Sequence, residues 1–342
     1  MTSDWTEFLQ ARGAILDAGV VRHFGAPAAE LAATAEGDVV ADLSHLALVG
    51  VTGEDAQAFL QAQLSCDIGA LRDEAAGLGA YCSPKGRMIA NFLVWPEDGG
   101  YFLALSRSIV GPTAKRLGMF VLRSKVVVAD RTGERRLVGA AGPAAARTLL
   151  AAVGTVPASP QGVSRSDGAT VIRLAPNRFL VAVVPGRAAP LWAALSSSLR
   201  PVGTPCWEWL DISAGIPRVT ARTQDEFVPQ MANLELLGGV SFQKGCYPGQ
   251  EVVARTQYLG KAKRRMFLAR IEGADPQPGD SLYSEDLGDQ ASGMIVNAAP
   301  APDGGFDVLA VVHAPSAAAS TVHLGSLTGA PLRFRPLPYA VP

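Results

Sequence analysis

Between residues 45 and 130, apolar residues recur with two different spacings. Short apolar runs predict strands, and apolar residues spaced three and four apart predict helices. The elements predicted in this order are a strand over 45–51, a helix over 56–64, strands over 78–82, 87–95 and 101–105, a helix over 108–122 and a strand over 125–129. The first module is therefore expected to have the order β-α-β-β-β-α-β.

The next stretch follows a similar pattern. It predicts a strand over 137–141, a helix over 143–152, strands over 170–174 and 179–184, a helix over 187–199 and a strand over 207–212. The order β-α-β-β-α-β is that of a ferredoxin-like unit. Helices alternating with antiparallel hairpins favour two-layer α+β modules over a doubly wound parallel sheet.

From residue 264 onward the helical spacing disappears. Short apolar strands over 266–271, 281–283, 293–296 and 306–312 are separated by turns rich in Pro, Gly and Asp. This spacing is typical of a small antiparallel β-barrel, with a domain boundary near Gly260. The sequence therefore predicts an α+β fold of two ferredoxin-like modules and a C-terminal antiparallel β-barrel.

Composition narrows the class of protein. The 342 residues leave room for two or three domains, and 48% hydrophobic with 18% charged residues excludes a disordered or coiled-coil chain. A net charge of −1 excludes a generally basic nucleic-acid coat. Acidic residues predominate over 1–60 and basic residues over 107–136. Either one face attracts anions, or these are ordinary solvated surfaces.

Cysteine usage and the N-terminus bear on location and metal binding. The four cysteines, Cys66, Cys82, Cys206 and Cys246, form no C-x-x-C pair and have no neighbouring histidine, so no metal site within the chain is predicted. So few cysteines favour a reducing compartment. Neither a signal peptide nor an apolar run of membrane length is present, so we expect a cytoplasmic protein without membrane contact.

The stretch 238–251 is the most unusual in the chain. Glycines and a proline surround Cys246, with Lys244 two residues before it and Gln250 and Glu251 beyond the turn. Glycines allow close approach of the backbone to a ligand, and a nearby ammonium lowers the pKa of a thiol. Cys246 is then a reactive thiol; as an alternative, it is a small buried hydrophobe in a tight turn.

The run KGCYPGQE over 244–251 closely resembles the signature of the YgfZ folate-binding family, relatives of the glycine-cleavage T-protein (aminomethyltransferase). Three further stretches are similar, in the expected order: CSPKGR over 82–87, AGIP over 214–217 and FVPQMANL over 227–234. The resemblance implies three domains around a central cavity. We predict a first module over 1–130 and 205–260, a second over 131–204, and the barrel over 261–342.

The resemblance also implies a function and a set of site residues. Tetrahydrofolate, or a folate derivative, is expected in the central cavity of an accessory protein for client iron–sulfur enzymes, including some tRNA-modifying ones. The family's activity is thought to depend on the residue matching Cys246, with Lys244 beside it. The expected cofactor-binding residues are Gly245, Tyr247, Gly249, Gln250, Glu251, Asn91, Asp211 and Arg255.

Two positions depart from the aminomethyltransferase pattern. Asn91 stands near the place of a carboxylate that helps activate the folate nitrogen, and an amide cannot take up a proton. Ser213 replaces a glutamate that contacts the pterin. On a strand over 207–212, Asp211 points to the same side as Ser213 and substitutes for that glutamate. Folate-dependent aminomethyl transfer is thus disfavoured, although the chain's status as an enzyme stays open.

Two other features have two interpretations each. Five basic residues either bind the glutamate tail of folate or RNA phosphates, or protect a strand edge from pairing: Arg255, Lys261, Lys263, Arg264 and Arg265. Trp207 and Trp209 line a pterin slot or belong to the core. The remaining functional alternatives are a folate-independent interaction module and direct RNA binding, for which the single Tyr258 gives little support.

Overall fold

The structure, a computed structural model, describes residues 3–97, 99–166, 168–258 and 262–341. The helices are α1 (Ser3–Gln10), α2 (Pro27–Glu36), α3 (Ala56–Gln63), α4 (Val110–Gly118), α5 (Ala145–Val153), α6 (Pro185–Ser196), α7 (Thr204–Ser213), α8 (Gln250–Tyr258) and α9 (Ala314–Ala319). The first eight strands are β1 (Ile15–Asp17), β2 (Val20–His23), β3 (Val39–Asp42), β4 (Leu46–Thr52), β5 (Gly77–Cys82), β6 (Met88–Glu97), β7 (Gly100–Ser106) and β8 (Val127–Asp130). The others are β9 (Arg136–Ala141), β10 (Val163–Ser166), β11 (Ala169–Ala175), β12 (Arg178–Val183), β13 (Arg200–Val202), β14 (Arg264–Ile271), β15 (Ser281–Ser284), β16 (Ala291–Pro300), β17 (Phe306–His313), β18 (Val322–Leu324) and β19 (Leu332–Arg335).

The first large sheet contains five antiparallel strands in the order β5-β6-β7-β4-β8. Phe59 and Leu60 of α3 and Leu117 of α4 are buried in its core, as the helical spacing predicted. The strand and helix order predicted for 45–130 is confirmed. The second helix is shorter than the predicted 108–122, because a 3-10 turn occupies 107–109 and α4 ends at Gly118.

The second sheet has the order β10-β11-β12-β9-β3-β13, and only the β13–β3 pair is parallel among its described pairs. Helices α5 and α6 cover it through Leu149, Leu191 and Trp192. Its strand β3 precedes β4 in the chain, so the early part of the sequence contributes to both sheets. The predicted division into 1–130 with 205–260, 131–204 and 261–342 stays a prediction.

The segment over 207–212 forms part of helix α7, so the predicted strand is wrong. Pro205 lies in the first helical turn, where the missing N–H costs nothing, and an apolar run of this length does not distinguish strand from helix by itself. Two positions along a helix are about 200° apart, so Asp211 and Ser213 do not share a face. Trp207 packs against Gly139, whereas Trp209 donates through Nε1 to Asp307 Oδ2 at 2.8 Å. The paired tryptophan slot is therefore also wrong.

The C-terminal sheet has the order β18-β15-β16-β17-β14-β19 and is antiparallel. The four strands predicted after residue 264 are confirmed, but the short helix α9 was not expected. It begins at Ala314-Pro315, and proline favours the first turn of a helix. The sheet curls until its outer parts meet at a bridge between His323 and Pro331, and full closure into a barrel stays a prediction.

The chain thus has a mixed α/β fold with several sheets. Gly260 and Lys261, at the predicted domain boundary, lie outside the described residues. Among the described helices, none combines the length and apolar character needed to cross a membrane.

Candidate functional site

Cys246 is exposed, and its loop is held by two buried neighbours, Lys244 and Tyr247. The alternative of a buried Cys246 is wrong. The other three cysteines are buried: Cys66, Cys82 and Cys206. Burial raises the pKa of the Cys66 and Cys82 thiols to about 12, so both stay protonated near neutrality. Cys246 is the one cysteine that a partner or reagent reaches from solvent.

The Lys244 side chain points toward the end of helix α3. Its Nζ donates to the carbonyl oxygen of Leu64 at 2.6 Å and to that of Gln61. The last carbonyls of a helix lack partners within the helix and carry its negative dipole end, so an ammonium is stabilised there. Nζ also lies 5.1 Å from the centre of the Tyr247 ring. Burial lowers the pKa of Lys244. Lys244 thus anchors the loop, and its predicted catalytic role stays a prediction.

The loop packs through Gly249 on the turn between β5 and β6. Gly249 has a φ of +81°, and a Cβ placed there would lie 2.4 Å from the Ser83 carbonyl oxygen and 2.7 Å from the Gly86 Cα. Gly86 has a φ of +72° and faces Val252 and the Gly249 carbonyl. Glycine is therefore required at both positions, because a side chain there would strain the backbone and clash with its neighbours. The structure brings together two of the sequence stretches, 82–87 and 244–251.

The remaining predicted loop residues have different surroundings. Gly245 is exposed, and a Cβ added there would meet no atom within 4 Å. Gln250 and Glu251 form the first turn of α8, which is tied to the 227–234 stretch because Gln230 Nε2 donates to the Val253 carbonyl at 2.7 Å. Arg255 on the same helix is exposed and makes no hydrogen bond or ion pair with another described residue.

The predicted basic cluster is divided. Arg264 donates to the Ala291 carbonyl at 3.0 Å, and Arg265 is paired with Glu235. Lys263 is exposed. These contacts leave Arg255 and Lys263 as the cluster's cations that are exposed without a described partner.

A separate cavity of about 420 Å³ lies where β4, β7, α7 and β16 meet. Polar side chains that line it include His45, Arg107, Glu208, Asp211, Arg218 and Asn297. Of the ten predicted site residues, all of which are described, only Asp211 lines this cavity. The thiol of Cys246 and the cavity are thus separate features of the molecule.

Asp211 is buried and paired on both sides. One carboxylate oxygen accepts from Arg178 and the other from Arg218. Burial by itself raises the pKa of Asp211, but the two guanidinium groups outweigh it and hold the pKa below its usual value. A carboxylate occupied in this way positions Arg178 and Arg218, and has little capacity left for a ligand.

Asn91 lies behind the cavity wall. Its Nδ2 donates to the Pro217 carbonyl at 2.7 Å, and its Oδ1 accepts from the Val219 N–H at 2.7 Å. Asn297 holds the backbone of the intervening residue, Arg218, in the same way. Its Oδ1 accepts from the Arg218 N–H at 2.8 Å, and its Nδ2 donates to the Arg218 carbonyl at 3.0 Å. The two amides fix the backbone that presents Arg218 to the cavity.

The same backbone continues to the Cys246 region. Gln224 Nε2 donates to the Ile89 carbonyl at 2.8 Å, and the N–H of Asp225 donates to the Met88 carbonyl at 2.9 Å. Asp225 then accepts from the Ser83 hydroxyl at 2.7 Å. The segment 216–227 therefore runs along β6 from the cavity wall to the turn under the Cys246 loop.

Sequence reasoning missed His45 and Glu208. Both ring nitrogens of His45 are buried and have no hydrogen-bond partner. Burial, together with Arg218 and Arg178, lowers the pKa of His45 to about 3, so the ring is neutral. Burial raises the pKa of Glu208 to about 7. The sequence signal for Glu208 was its position three residues before Asp211, which places both side chains on one face of a helix. Predicting a strand over 207–212 concealed this spacing.

A larger cavity of about 780 Å³ lies under α1 and shares Arg107 with the first. Its buried Asp42 accepts from Trp5 Nε1 at 2.9 Å and from the Ser44 N–H at 3.3 Å. Charged residues of both signs line it, and Asp42 serves local bonding. Within the described part of the chain, no group of three potential metal ligands lies close enough to hold a metal ion.

Comparisons with known proteins agree with this architecture. The family described as GCVT N-terminal domain matches residues 18–165. The glycine cleavage system aminomethyltransferase T from Bartonella henselae superposes with a TM-score of 0.81 at 18% identity, covering 97% of this chain and 96% of that protein. The chain therefore has the fold of the aminomethyltransferase T class.

Curated relatives define the family more closely. The tRNA-modifying protein YgfZ from Pectobacterium atrosepticum is 34% identical over 307 residues, covering 87% of this chain and 91% of the relative. The protein of the same name from Sodalis glossinidius is 32% identical over 304 residues, with 87% and 92% coverage. The chain belongs to the YgfZ family of tRNA-modifying proteins.

Proposed function

We propose that this chain binds tetrahydrofolate or a related reduced folate in the 420 Å³ cavity and, through Cys246, assists the maturation or repair of iron–sulfur enzymes. Enzymes that modify tRNA are among the proposed clients, in keeping with the name of the curated relatives. The single observation that supports this most is the exposure of Cys246 on a loop anchored by buried residues.

The cavity fits a folate ring. Its volume lies within the range of small-molecule sites, and its lining combines apolar side chains such as Ile212 and Ile216 with a few polar ones. The unpartnered nitrogens of His45 point to a ligand, because buried polar groups normally have a partner. When bound, the folate would supply one-carbon chemistry; the protein's residues hold and orient it.

Segment 216–227 provides the connection between the two features. It contributes Ile216, Arg218 and Thr220 to the cavity and, through Asp225, supports the Ser83 end of the turn on which Gly249 packs. A ligand that fixes Arg218 would thus also steady the base of the Cys246 loop. We therefore place the protein among accessory proteins in which folate occupancy supports presentation of a thiol.

Aminomethyl transfer is the weaker candidate. The side chain of Asn91 has no proton to exchange near neutrality, and both ends of its amide are bonded to the backbone of 217–219. An assay with aminomethylated lipoyl carrier and tetrahydrofolate should give no turnover above background. Measurable turnover would establish the enzyme instead.

The test of the main proposal combines two measurements. Cys246→Ala should abolish complementation of a strain that lacks the protein, while the matched variant Cys206→Ala, which removes a buried thiol, should complement. Calorimetry of the wild-type protein should show heat of binding with tetrahydrofolate. Full complementation by Cys246→Ala would refute the role of the thiol, and absence of heat at millimolar ligand would favour a folate-independent interaction module.

A further inference from the structure

The cavity contains one carboxyl group that the protein itself does not use. Asp211 is occupied by Arg178 and Arg218, whereas Glu208, one helical turn earlier, makes no hydrogen bond or ion pair with any described residue. Both residues line the cavity because positions three apart lie on the same face of α7. Glu208 is mostly buried, so its carboxyl group has lost much of its water without gaining a partner.

His45 is the second unused group in the same cavity. It lies just before β4, and neither ring nitrogen has a partner although both are buried. A neutral imidazole offers one N–H donor and one acceptor nitrogen. Glu208 and His45 thus both line the cavity without a hydrogen-bond partner among the described residues, beside ion pairs that are already complete.

We propose that Glu208 recognises the 2-amino-4-oxopyrimidine edge of the ligand in this cavity; the inference rests on the proposed folate binding. That edge carries an amino group and a ring N–H side by side, and a carboxylate accepts two such parallel bonds. Charge-assisted bidentate contacts of this type are the strong ones.

The assignment distinguishes Glu208 from the residues first expected. Asp211 has both oxygens committed to arginines, and Ser213 lies about 200° around the helix from it. Asn91 is bonded through both ends of its amide. Glu208 is thus the cavity carboxylate that is still available to a ligand.

The same heterocyclic edge occurs in pterins and in guanine, so the experiment compares the two. Titration calorimetry would use tetrahydrofolate, GMP, and a folate analogue whose 2-amino group is replaced by methyl. Glu208→Gln should weaken tetrahydrofolate binding by about 10- to 100-fold, the range for hydrogen bonds to a charged group. The control Glu134→Gln removes an exposed carboxylate that lines neither cavity and should bind as the wild type does.

A double-mutant cycle makes the test specific. Wild-type protein should lose about 10-fold or more in affinity when the 2-amino group is replaced, and Glu208→Gln should lose much less. If wild-type protein binds tetrahydrofolate and Glu208→Gln binds it equally, the inference is overturned while the proposed function stands. Binding of GMP alone, sensitive to Glu208→Gln, would support the recognition and refute the folate. Binding of neither ligand would overturn both.

The pH dependence gives a readout that a structural role would not produce. The elements packed against α7 carry Arg22 and His23 on β2, Glu30 and Glu36 on α2, Asp42 on β3, and Asp307 and His313 on β17. His45, Arg107, Asp211 and Arg218 line the cavity together with Glu208. Burial has the largest effect on the pKa of Glu208 and raises it. Arg218 and Arg22 favour the ionised form of Glu208, whereas Asp211 disfavours it. With a pKa of about 7, affinity should fall about tenfold from pH 8 to pH 6 in the wild type. Glu208→Gln should show no such fall; a parallel fall in both proteins would contradict the assignment.

The unliganded protein provides an independent measurement. A carboxyl group whose pKa is raised on folding destabilises the folded state progressively as the pH rises from about 4.5 to about 7. Glu208→Gln should therefore melt at a higher temperature than the wild type at pH 8, with the gain shrinking below pH 5. Higher stability together with weaker binding is the signature of a residue kept for its ligand. A lower melting temperature at pH 8 would contradict it.

Discussion

Replacing Gly249 with alanine places a methyl group at the point where the Cys246 loop meets the turn at 83–86. That methyl group would lie 2.4 Å from the Ser83 carbonyl oxygen and 2.7 Å from both the nitrogen and the Cα of Gly86. All three are backbone atoms, which do not move aside as a flexible side chain does. The φ of +81° at Gly249 adds a conformational cost that only glycine avoids.

The expected magnitude follows from these two contributions. A non-glycine residue in the left-handed region costs about 1–2 kcal/mol, and overpacking costs about 1–3 kcal/mol. The free energy of unfolding should therefore fall by about 2–5 kcal/mol, or the loop should separate from the turn to avoid the cost. The matched control is Gly245→Ala, since no atom lies within 4 Å of its Cβ and its φ is outside the left-handed region. We expect its change to stay within about 0.5 kcal/mol.

Thermal unfolding and the rate of thiol labelling distinguish the two outcomes. A globally coupled loop should lower the melting temperature of this 342-residue chain by about 3–7 °C, whereas a detached loop should label faster at Cys246 with little change in melting. The other three cysteines are buried, so labelling of the native protein reports Cys246. Equal melting temperatures and equal labelling rates for Gly249→Ala and Gly245→Ala would show that the packing on the turn does not hold the loop.

Three further perturbations test the site. Asp211→Asn leaves two arginines without their buried partner and should lower the free energy of unfolding by about 3–5 kcal/mol. Because folding lowers the pKa of Asp211, the pairing contributes fully above pH about 4 and is lost as the pH falls further. The melting temperatures of wild type and variant should therefore converge in acid. Lys244→Met leaves two carbonyls at the end of α3 unpaired, which should lower the free energy of unfolding in denaturant by about 1–3 kcal/mol. The rate of Cys246 labelling should change less than about threefold. A large fall in that rate at unchanged stability would support the catalytic role of Lys244 instead. Between pH 6.5 and about 3, the buried ring of His45 stays neutral in the folded protein, whereas the ring in the unfolded chain takes up a proton. As the pH falls through this range, the wild type should therefore lose about 1 kcal/mol of stability per pH unit more than His45→Gln does. Identical profiles of stability against pH would contradict this.

Local pattern was sufficient for much of the fold. The elements over 45–130 and the four strands after 264 follow from periodicity and turn residues, because these depend on neighbours in the chain. The resemblance of 244–251 also pointed to Cys246 as the residue to examine, and its exposure agrees. Local pattern was insufficient over 207–212, where burial on more than one side removed the period that separates helix from strand.

The use of each polar side chain was decided by contacts between residues far apart in the chain. By residue type alone, Asp211 and Glu208 are equivalent carboxylates; only the fold pairs Asp211 with Arg178, 33 positions away, and leaves Glu208 facing the cavity. Likewise, Lys244 precedes Cys246 by two residues, yet its ammonium bonds the end of a helix 180 positions earlier. The sequence by itself determined which elements form and which thiol to examine. The tertiary structure alone determined which charges are neutralised, because burial and pairing depend on segments that meet only after folding.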